Sequence, residues 1–496
     1  MGKRVAVVGA GFGGLSAAVR LAAAGWTVDV YESLGYPGGK AGVHEAAGFR
    51  FDTGPSLITL PEVYADLFAA AGRSIEDYLE FVPLSPICRY FWDDEQSFDA
   101  FPGSERFADE ALRVFGEPRQ NVLDFLSYTE RIHELTAELF LHQSLHDHRT
   151  YLSRRFVSSL LQIGKIDAFS TMHESVAARI SHPHLVQLFD RYATYNGSDP
   201  FQTPATLNII PFVEYALGGY ASRTGIHAIP QAIHSLAESV GARFHFGTRV
   251  DRILVDDGAG RRVQGVEVAG ESIGYDAVVS DVDVTGLYEN LLADTSAPLY
   301  KRYQRLEPSS SGLVFFWGMS RRFPRLHIHN IFFSSDYRRE FAEIFEQRRV
   351  PSDPTIYVNI TSKVSIDDAP ADGENWFVLL NVPYRDGQNW QSEAARARER
   401  VVARLSRILG TDVEAAIAYE RVMTPEDIER DTGSHRGSLY GISSNARMSA
   451  FLRHPNRARR YPGLYVCGGS AHPGGGMPLA ILSGKIAASL LRRYEE

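Results

Sequence analysis

The chain has 496 residues, 44% hydrophobic and 22% charged, with a net charge of −9. That is globular composition, too long for a single core and without the basic field of a nucleic-acid binder, so no nucleic acid is expected as a partner. Two cysteines, Cys88 and Cys467, are too few for a disulfide framework or a cysteine zinc site and point to a reducing, cytoplasmic compartment. No apolar run reaches the ~18–20 residues that span a bilayer, and a strand pattern from Arg4 leaves no room for a signal peptide. A soluble or peripheral protein is expected.

The opening stretch, "RVAVVGAGFGGLSAAVRLAAAGWTVDVYES", predicts a buried strand at Arg4–Val8, a glycine turn and an amphipathic helix. Gly25 is placed to end that helix, and a second strand, Thr27–Tyr31, leads into Glu32. Gly9, Gly11 and Gly14 stand in G-x-G-x-x-G register. Gly9 serves the tight turn, Gly11 a close backbone approach to a pyrophosphate, and Gly14 the packing of helix on strand. The free N–H groups of the helix start favour phosphate. Glu32 is placed to accept hydrogen bonds from ribose hydroxyls and to repel a 2′-phosphate. Strand, helix, second strand and acid together predict a dinucleotide site.

The next segment, "YPGGKAG" and then "GFRFDTGPSLI", does not continue the strand–helix alternation of an NAD domain. It resembles the glutathione-reductase-like flavoproteins. That resemblance implies FAD, with Gly38, Gly39 and Lys40 on the flavin side of the pyrophosphate and the Thr53–Ser56 loop (Gly54, Pro55, Ser56) bordering the ring.

From 103 to 215 the pattern is helical and irregular. "RTYLSRRFVSSLLQIGK" interleaves Arg149, Arg154, Arg155 and Lys165 with Tyr151, Leu152, Phe156, Leu160 and Leu161. It reads either as a helix dipping into an anionic membrane or as an amphipathic helix facing the core. His142 and His146 have the i, i+4 spacing of a metal pair, with His148 and Asp147 nearby, but nothing completes a site, and no metal is expected.

Flavoprotein grammar returns over 216–290. Val250 falls where this fold places a backbone contact to adenine, and Ala277–Ser280 reads as a strand returning to the nucleotide sheet. Between 291 and 440, "GLVFFWGM", "PTIYVNITS" and "NWFVLLNVPY" predict a second, mostly antiparallel sheet over an apolar cavity, in which Phe315, Phe316 and Trp317 read either as wall residues or, the preferred reading for most of them, as ordinary core packing. The fold class expected is α/β plus α+β: a glutathione-reductase-like FAD-binding Rossmann domain from segments 1–102, 216–290 and 441–496. A mixed helical and antiparallel-sheet substrate domain, 103–215 and 291–440, is inserted into it.

Over essentially its whole length the chain resembles the bacterial phytoene-desaturase-type carotenoid desaturases. The motifs that carry this are "VVGAGFGGLSAAVRLAAAGWTVDVYE", "PGGKAG", "FDTGPSLITLP", "DPFQTPATLNIIPFVEY", "DAVVSDVDV" and "GLYVCGGSAHPGGGMPLAILSGKIAA". "HNIFFSSDYRREFAEIF" and "CGGSAHPGGGMPLA" are more similar to the hydroxycarotenoid 3,4-desaturase branch. Thr224, Gly225 and Ile226 depart from the family's paired glycine at that point.

The resemblance implies a flavin-dependent desaturase acting on a C40 polyene, by hydride transfer to flavin N5 and loss of a proton to an acceptor that no motif identifies. It further implies a peripheral position at the inner face of the cell membrane, and oxygen or a quinone as electron acceptor. Phytoene desaturation is the nearest alternative. A carotenoid isomerase, a flavin amine oxidase and a non-catalytic lipid-binding escort are the others. In the terminal run, Leu464–Cys467 reads as the last parallel strand. Gly474–Gly476 would lie close to the flat ring, Pro478 would start a helix aimed at it, and Leu479, Leu482, Ile486 and Leu490 would anchor that helix. The candidate cofactor-binding residues are Gly9, Ala10, Gly11, Phe12, Gly13, Gly14, Glu32, Ser33, Gly39, Lys40, Gly54, Pro55, Ser56, Val250, Gly469, Ser470, Gly476, Met477 and Leu479. No catalytic residue stands out.

Overall fold

The computed structural model describes residues 2–147, 167, 169–256, 258, 260–446 and 453–496. The basic–aromatic run 149–165 and His148 lie outside the described residues. Among the described residues, five strands form a parallel sheet in the order Leu464–Val466, Ala277–Ser280, Arg4–Val8, Thr27–Tyr31, Arg243–His245. The strands Arg4–Val8, Thr27–Tyr31, Ala277–Ser280 and Leu464–Val466 are short and largely buried, as a sheet covered on both faces requires, while the edge strand Arg243–His245 is not. The helices Phe12–Ala23 and Met477–Glu495 pack on one face beside Ala228–Ser239. Segments from both ends and the middle of the chain therefore build one sheet.

The terminal helix sits closely on the first. Ser16 Oγ donates to the Ile481 carbonyl at 2.7 Å. Of the predicted anchor stripe, Leu482, Ile486 and Leu490 are buried, each contributing about 1.5–3 kcal/mol. Leu479 instead faces the cavity described below.

A second sheet runs in the order Ile417–Met423, Ser311–Met319, Glu374–Val382, Ile356–Asn359, His329–Phe332, Cys88–Phe91, Ser97–Ala100. Its pairings are antiparallel except between His329–Phe332 and Cys88–Phe91. The strands Cys88–Phe91 and Ser97–Ala100, inside the segment 1–102, thus join this sheet and not the nucleotide sheet. Strand Ser311–Met319 is buried on both faces. Leu313, Phe315 and Trp317 pack towards helix Trp390–Leu409, and Val314 and Phe316 pack with Phe49 and Phe51. Phe315, Phe316 and Trp317 are core residues and not cavity walls: the period-2 alternation that turns Gly312 and Val314 to the cavity points Phe315 and Trp317 away from it, while Phe316, on the same face as Val314, is covered by Phe51 and Phe377.

A helical layer, chiefly Ser104–Phe115, Arg119–His142, Pro183–Asp190 and Ile209–Tyr215, closes the opposite side. His142 is the last residue of its helix and His146 lies in the turn beyond, so the pair shares no helix face.

Candidate functional site

The carboxyl ends of the parallel strands open onto a cavity of about 1370 Å³ that continues between the second sheet and the helical layer. Val8, Tyr31 and Asp281, at or just past three strand ends, line it, as do Gly468 and Gly469 after the last strand. This is where open α/β sheets bind ligands, since there the helix N-termini point and the loops diverge. Cys467, just past the last strand, is buried behind it, and neither Cys88 nor Cys467 is in a disulfide.

Two helices present their N-termini to this end of the cavity without a side-chain cap: Phe12–Ala23, preceded by Gly11, and Met477–Glu495, preceded by Gly476. Their first-turn N–H groups carry partial positive charge. Gly9, at φ +99°, turns the chain from strand into helix, and a Cβ on Gly14 would stand 2.0 Å from the Gly9 carbonyl oxygen. Helix and strand meet there closer than any side chain permits.

Glu32 is buried at the end of the second strand. Its Oε2 accepts from the Ala10 N–H at 2.8 Å, and its Oε1 accepts from the Leu34 N–H at 2.8 Å and from Ser33 Oγ at 3.2 Å. The acid is thus locked against the glycine turn. Lys40 is half-buried, and its Nζ donates to the carbonyls of Leu439 at 2.7 Å and Ser438 at 3.2 Å. Burial lowers its pKa to about 8, against the opposing charges of Asp283 and Asp281.

Of the candidate residues, Gly9, Gly11, Phe12, Glu32, Ser33, Gly39, Lys40, Gly54, Pro55, Ser56 and Val250 line this cavity with Gly469, Ser470, Gly476, Met477 and Leu479. Ala10, Gly13 and Gly14 lie behind it as the turn and first helical turn. Sequence reasoning missed Asp281 and Arg453. Burial pushes the Asp281 carboxyl up to about 7, with Glu32 adding to the rise and the N–H groups of Gly14 and Gly11 opposing it. Arg453 is buried, its Nη1 donating to the carbonyls of Gly469 at 3.0 Å and Tyr440 at 3.1 Å. Asp281 belongs to the motif "DAVVSDVDV", one residue past the strand Ala277–Ser280. Arg453 carried no motif.

Over residues 12–492 the chain matches the family described as flavin containing amine oxidoreductase. The chain belongs to this family. Among curated relatives it is 41% identical over 489 residues to a 1-hydroxycarotenoid 3,4-desaturase of Flavobacterium sp. (strain P99-3), covering 99% of each chain. It is 32% identical over 497 residues to a 4,4'-diaponeurosporene oxygenase of Staphylococcus aureus (strain USA300), covering 100% of this chain and 99% of that one. Among solved structures, an oxidoreductase from Methanosarcina mazei superposes with a TM-score of 0.64 at 16% identity, over 99% of this chain and 100% of that one. That last likeness shows the fold: a Rossmann-type FAD domain joined to a substrate domain.

Membership makes the chain a FAD-dependent oxidoreductase. The donor set fits that cofactor. Two uncapped helix N-termini suit the pyrophosphate and the electron-accepting ring, and a buried acid at the second strand end suits a ribose. The cavity beyond is mostly apolar, walled by Leu57, Leu135, Ile209, Ile210, Val213 and Leu379. No helix among the described residues is long and apolar enough to cross a membrane, and no cluster of metal-binding side chains occurs among them.

Proposed function

We propose that this protein is a FAD-dependent carotenoid desaturase that introduces a C=C bond into a 1-hydroxylated acyclic C40 polyene at the 3,4 position. The observation that carries this reading is 41% identity over 99% of both chains to a desaturase of that description. The apolar part of the cavity, beyond the flavin-side loops, agrees with a long hydrocarbon substrate.

The bound flavin supplies the two-electron acceptor for the hydrogens that leave a CH–CH bond. The chain's own residues do the rest. Gly9 to Gly14 and the helix behind them hold the pyrophosphate, with Glu32 and Ser33 at the ribose and Val250 at the adenine. Gly39, Lys40 and the loop Gly54, Pro55 and Ser56 take the flavin side, opposite Gly469, Ser470, Gly476, Met477 and Leu479. The apolar walls exclude water and keep the polyene extended, so that one C–H bond is presented at contact distance. Segments 1–102, 216–290 and 441–496 serve the cofactor. Segments 103–215 and 291–440 serve the substrate, together with the strands Cys88–Phe91 and Ser97–Ala100.

A polyene of this size resides in lipid, so the protein acts at a membrane surface, at the inner face of the cell membrane, and returns its electrons to oxygen or a quinone. Incubating purified flavoprotein with a 1-hydroxylated acyclic carotenoid in vesicles tests the reading. The expected product is two hydrogens lighter with red-shifted absorption. An unchanged mass with altered cis/trans profile makes it an isomerase, and a product gaining oxygen makes it an oxygenase like the staphylococcal relatives. Colourless protein with no pigment change removes the flavoenzyme reading.

A further inference from the structure

Within the apolar part of the cavity lies a polar cluster that cofactor binding does not use. Arg191 and Glu214 both line the cavity and are 8% and 1% exposed. Arg191 Nη2 donates to Tyr90 Oη at 2.8 Å and reaches Glu214 Oε1 at 3.5 Å. Tyr192 Oη donates to Glu214 Oε1 at 2.8 Å, and Tyr195 Oη donates to Glu214 Oε2. The guanidinium carbon lies 4.4 Å from the centroid of the Tyr192 ring and 5.3 Å from that of Tyr195. Its charge is therefore already matched, by one carboxylate and by aromatic faces.

His329, on the strand His329–Phe332, also lines the cavity and is 2% exposed. Its Nδ1 is 2.7 Å from Tyr357 Oη and 3.1 Å from Asn359 Nδ2. Asn359 Nδ2 also donates to the Ile328 carbonyl at 3.0 Å, which fixes the amide's orientation. An amide N–H directed at Nδ1 makes that nitrogen the acceptor and puts the imidazole proton on Nε2. Burial and then the Arg191 charge lower the ring's pKa to about 3, so it stays neutral. The Nε2–H of His329 is thus a donor; it and the Nε–H of Arg191 are buried within side chains that line the cavity, and neither has a hydrogen-bond partner among the described residues.

Buried donors left unpaired are costly. A hydrocarbon alone leaves them unpaired, and an anion is disfavoured because Glu214 already balances Arg191. The complement is a neutral oxygen with free lone pairs. Its position agrees with the chemistry. Tyr357 Oη also contacts Ser56 Oγ at 2.5 Å, so His329 is one tyrosine away from the loop assigned to the flavin ring. In the substrate named for the 41%-identical relative, the hydroxyl carbon is two carbons from the bond desaturated, so a hydroxyl binder belongs beside the reacting centre.

We propose that Arg191 and His329, held by Glu214 and by Asn359 and Tyr357 respectively, form the recognition site for the substrate's terminal hydroxyl and so select hydroxylated over plain acyclic polyenes. This rests on the desaturase reading. Sites built to hydrogen-bond a hydroxyl reject the analogue lacking it by large factors, here on the order of 100-fold or more in kcat/KM.

The experiment compares a 1-hydroxylated acyclic C40 polyene with the same chain lacking the hydroxyl, measuring kcat/KM and the Kd for the flavin-loaded protein. Wild-type protein is expected to prefer the hydroxylated chain at least ~100-fold. His329→Phe and the charge-balanced pair Arg191→Met with Glu214→Gln are each expected to bring the ratio below roughly 10. His329→Gln, which keeps a donor, restores part of it, and flavin content and melting report that each variant is folded. Preference retained in both folded variants overturns the site. Equal turnover of both chains by wild type overturns the site and leaves the desaturase reading standing. Turnover of neither removes that reading and the site with it.

Discussion

Gly13 and Gly484 bring the first and last helices of the protein into backbone contact: a Cβ on Gly484 would stand 2.2 Å from the Gly13 carbonyl oxygen and 3.0 Å from the Ala17 nitrogen. The two uncapped helix N-termini at the cavity are thereby held as one rigid pair. With Ser16 Cβ at 2.8 Å, the obstructing atoms are main chain or the Cβ fixed to it, so nothing flexible can yield. Gly484→Ala is expected to destabilise the protein by about 1–3 kcal/mol and to lower flavin retained through gel filtration. Urea unfolding and the flavin-to-protein absorbance ratio measure the two effects.

Glu32 ties the glycine turn to the second strand through the Ala10 N–H. Glu32→Ala leaves that buried donor unpaired and removes the ribose contact proposed above. Flavin binding should weaken by about 10- to 100-fold, measured by titrating apoprotein with FAD. An unchanged Kd would show that the acid serves only the turn.

Asp281 gives a pH dependence whose sign runs opposite to that of an ion-paired carboxylate. Its folded-state pKa is raised to about 7 from an ordinary 3.8, chiefly by burial. Between those values the folded state holds a proton that the unfolded state has lost. Its contribution therefore turns unfavourable as pH rises through that window, by a few kcal/mol in all, and is constant above it. Asp281→Asn should flatten the stability profile there, and its advantage over wild type should be larger at pH 8 than at pH 4. Chemical denaturation of the apoprotein at several pH values reads this directly.

His329 is lowered to about 3 by burial and by Arg191, so it carries no charge across the working range. Selection of the hydroxylated chain should therefore stay flat between about pH 5 and pH 9, whereas an unperturbed histidine titrates near ~6.5. A ratio of kcat/KM values that breaks near neutral pH would place a protonated imidazole in the site instead.

The strand–glycine–helix geometry at the cavity was legible because its determinants are local. Gly9, Gly11, Gly14 and Glu32 lie within one strand–helix–strand unit, and the chemistry of a pyrophosphate acts on backbone geometry over a few residues. The terminal unit was readable for the same reason, from Leu464 to the helix start at Met477. Phe315, Phe316 and Trp317 were less so: their composition marks a strand, but which alternate side chain faces the cavity depends on the register of neighbouring strands, Phe315 with Val378 and Val422. The strands Cys88–Phe91 and Ser97–Ala100 join the second sheet through pairing with His329–Phe332, a partner distant in the chain.

By itself, the order of residues determined the glycine turns, the acid after the second strand, the two helix starts and hence a flavin protein, since each is a short-range steric or dipolar requirement. Only the tertiary structure decided which groups meet in the substrate part of the cavity. Arg191, Glu214, His329 and Tyr357 come from separate helices and strands, and no spacing in the chain relates them. Their unpartnered donors exist because folding removed water from them, and burial of that kind is a property of the packed whole.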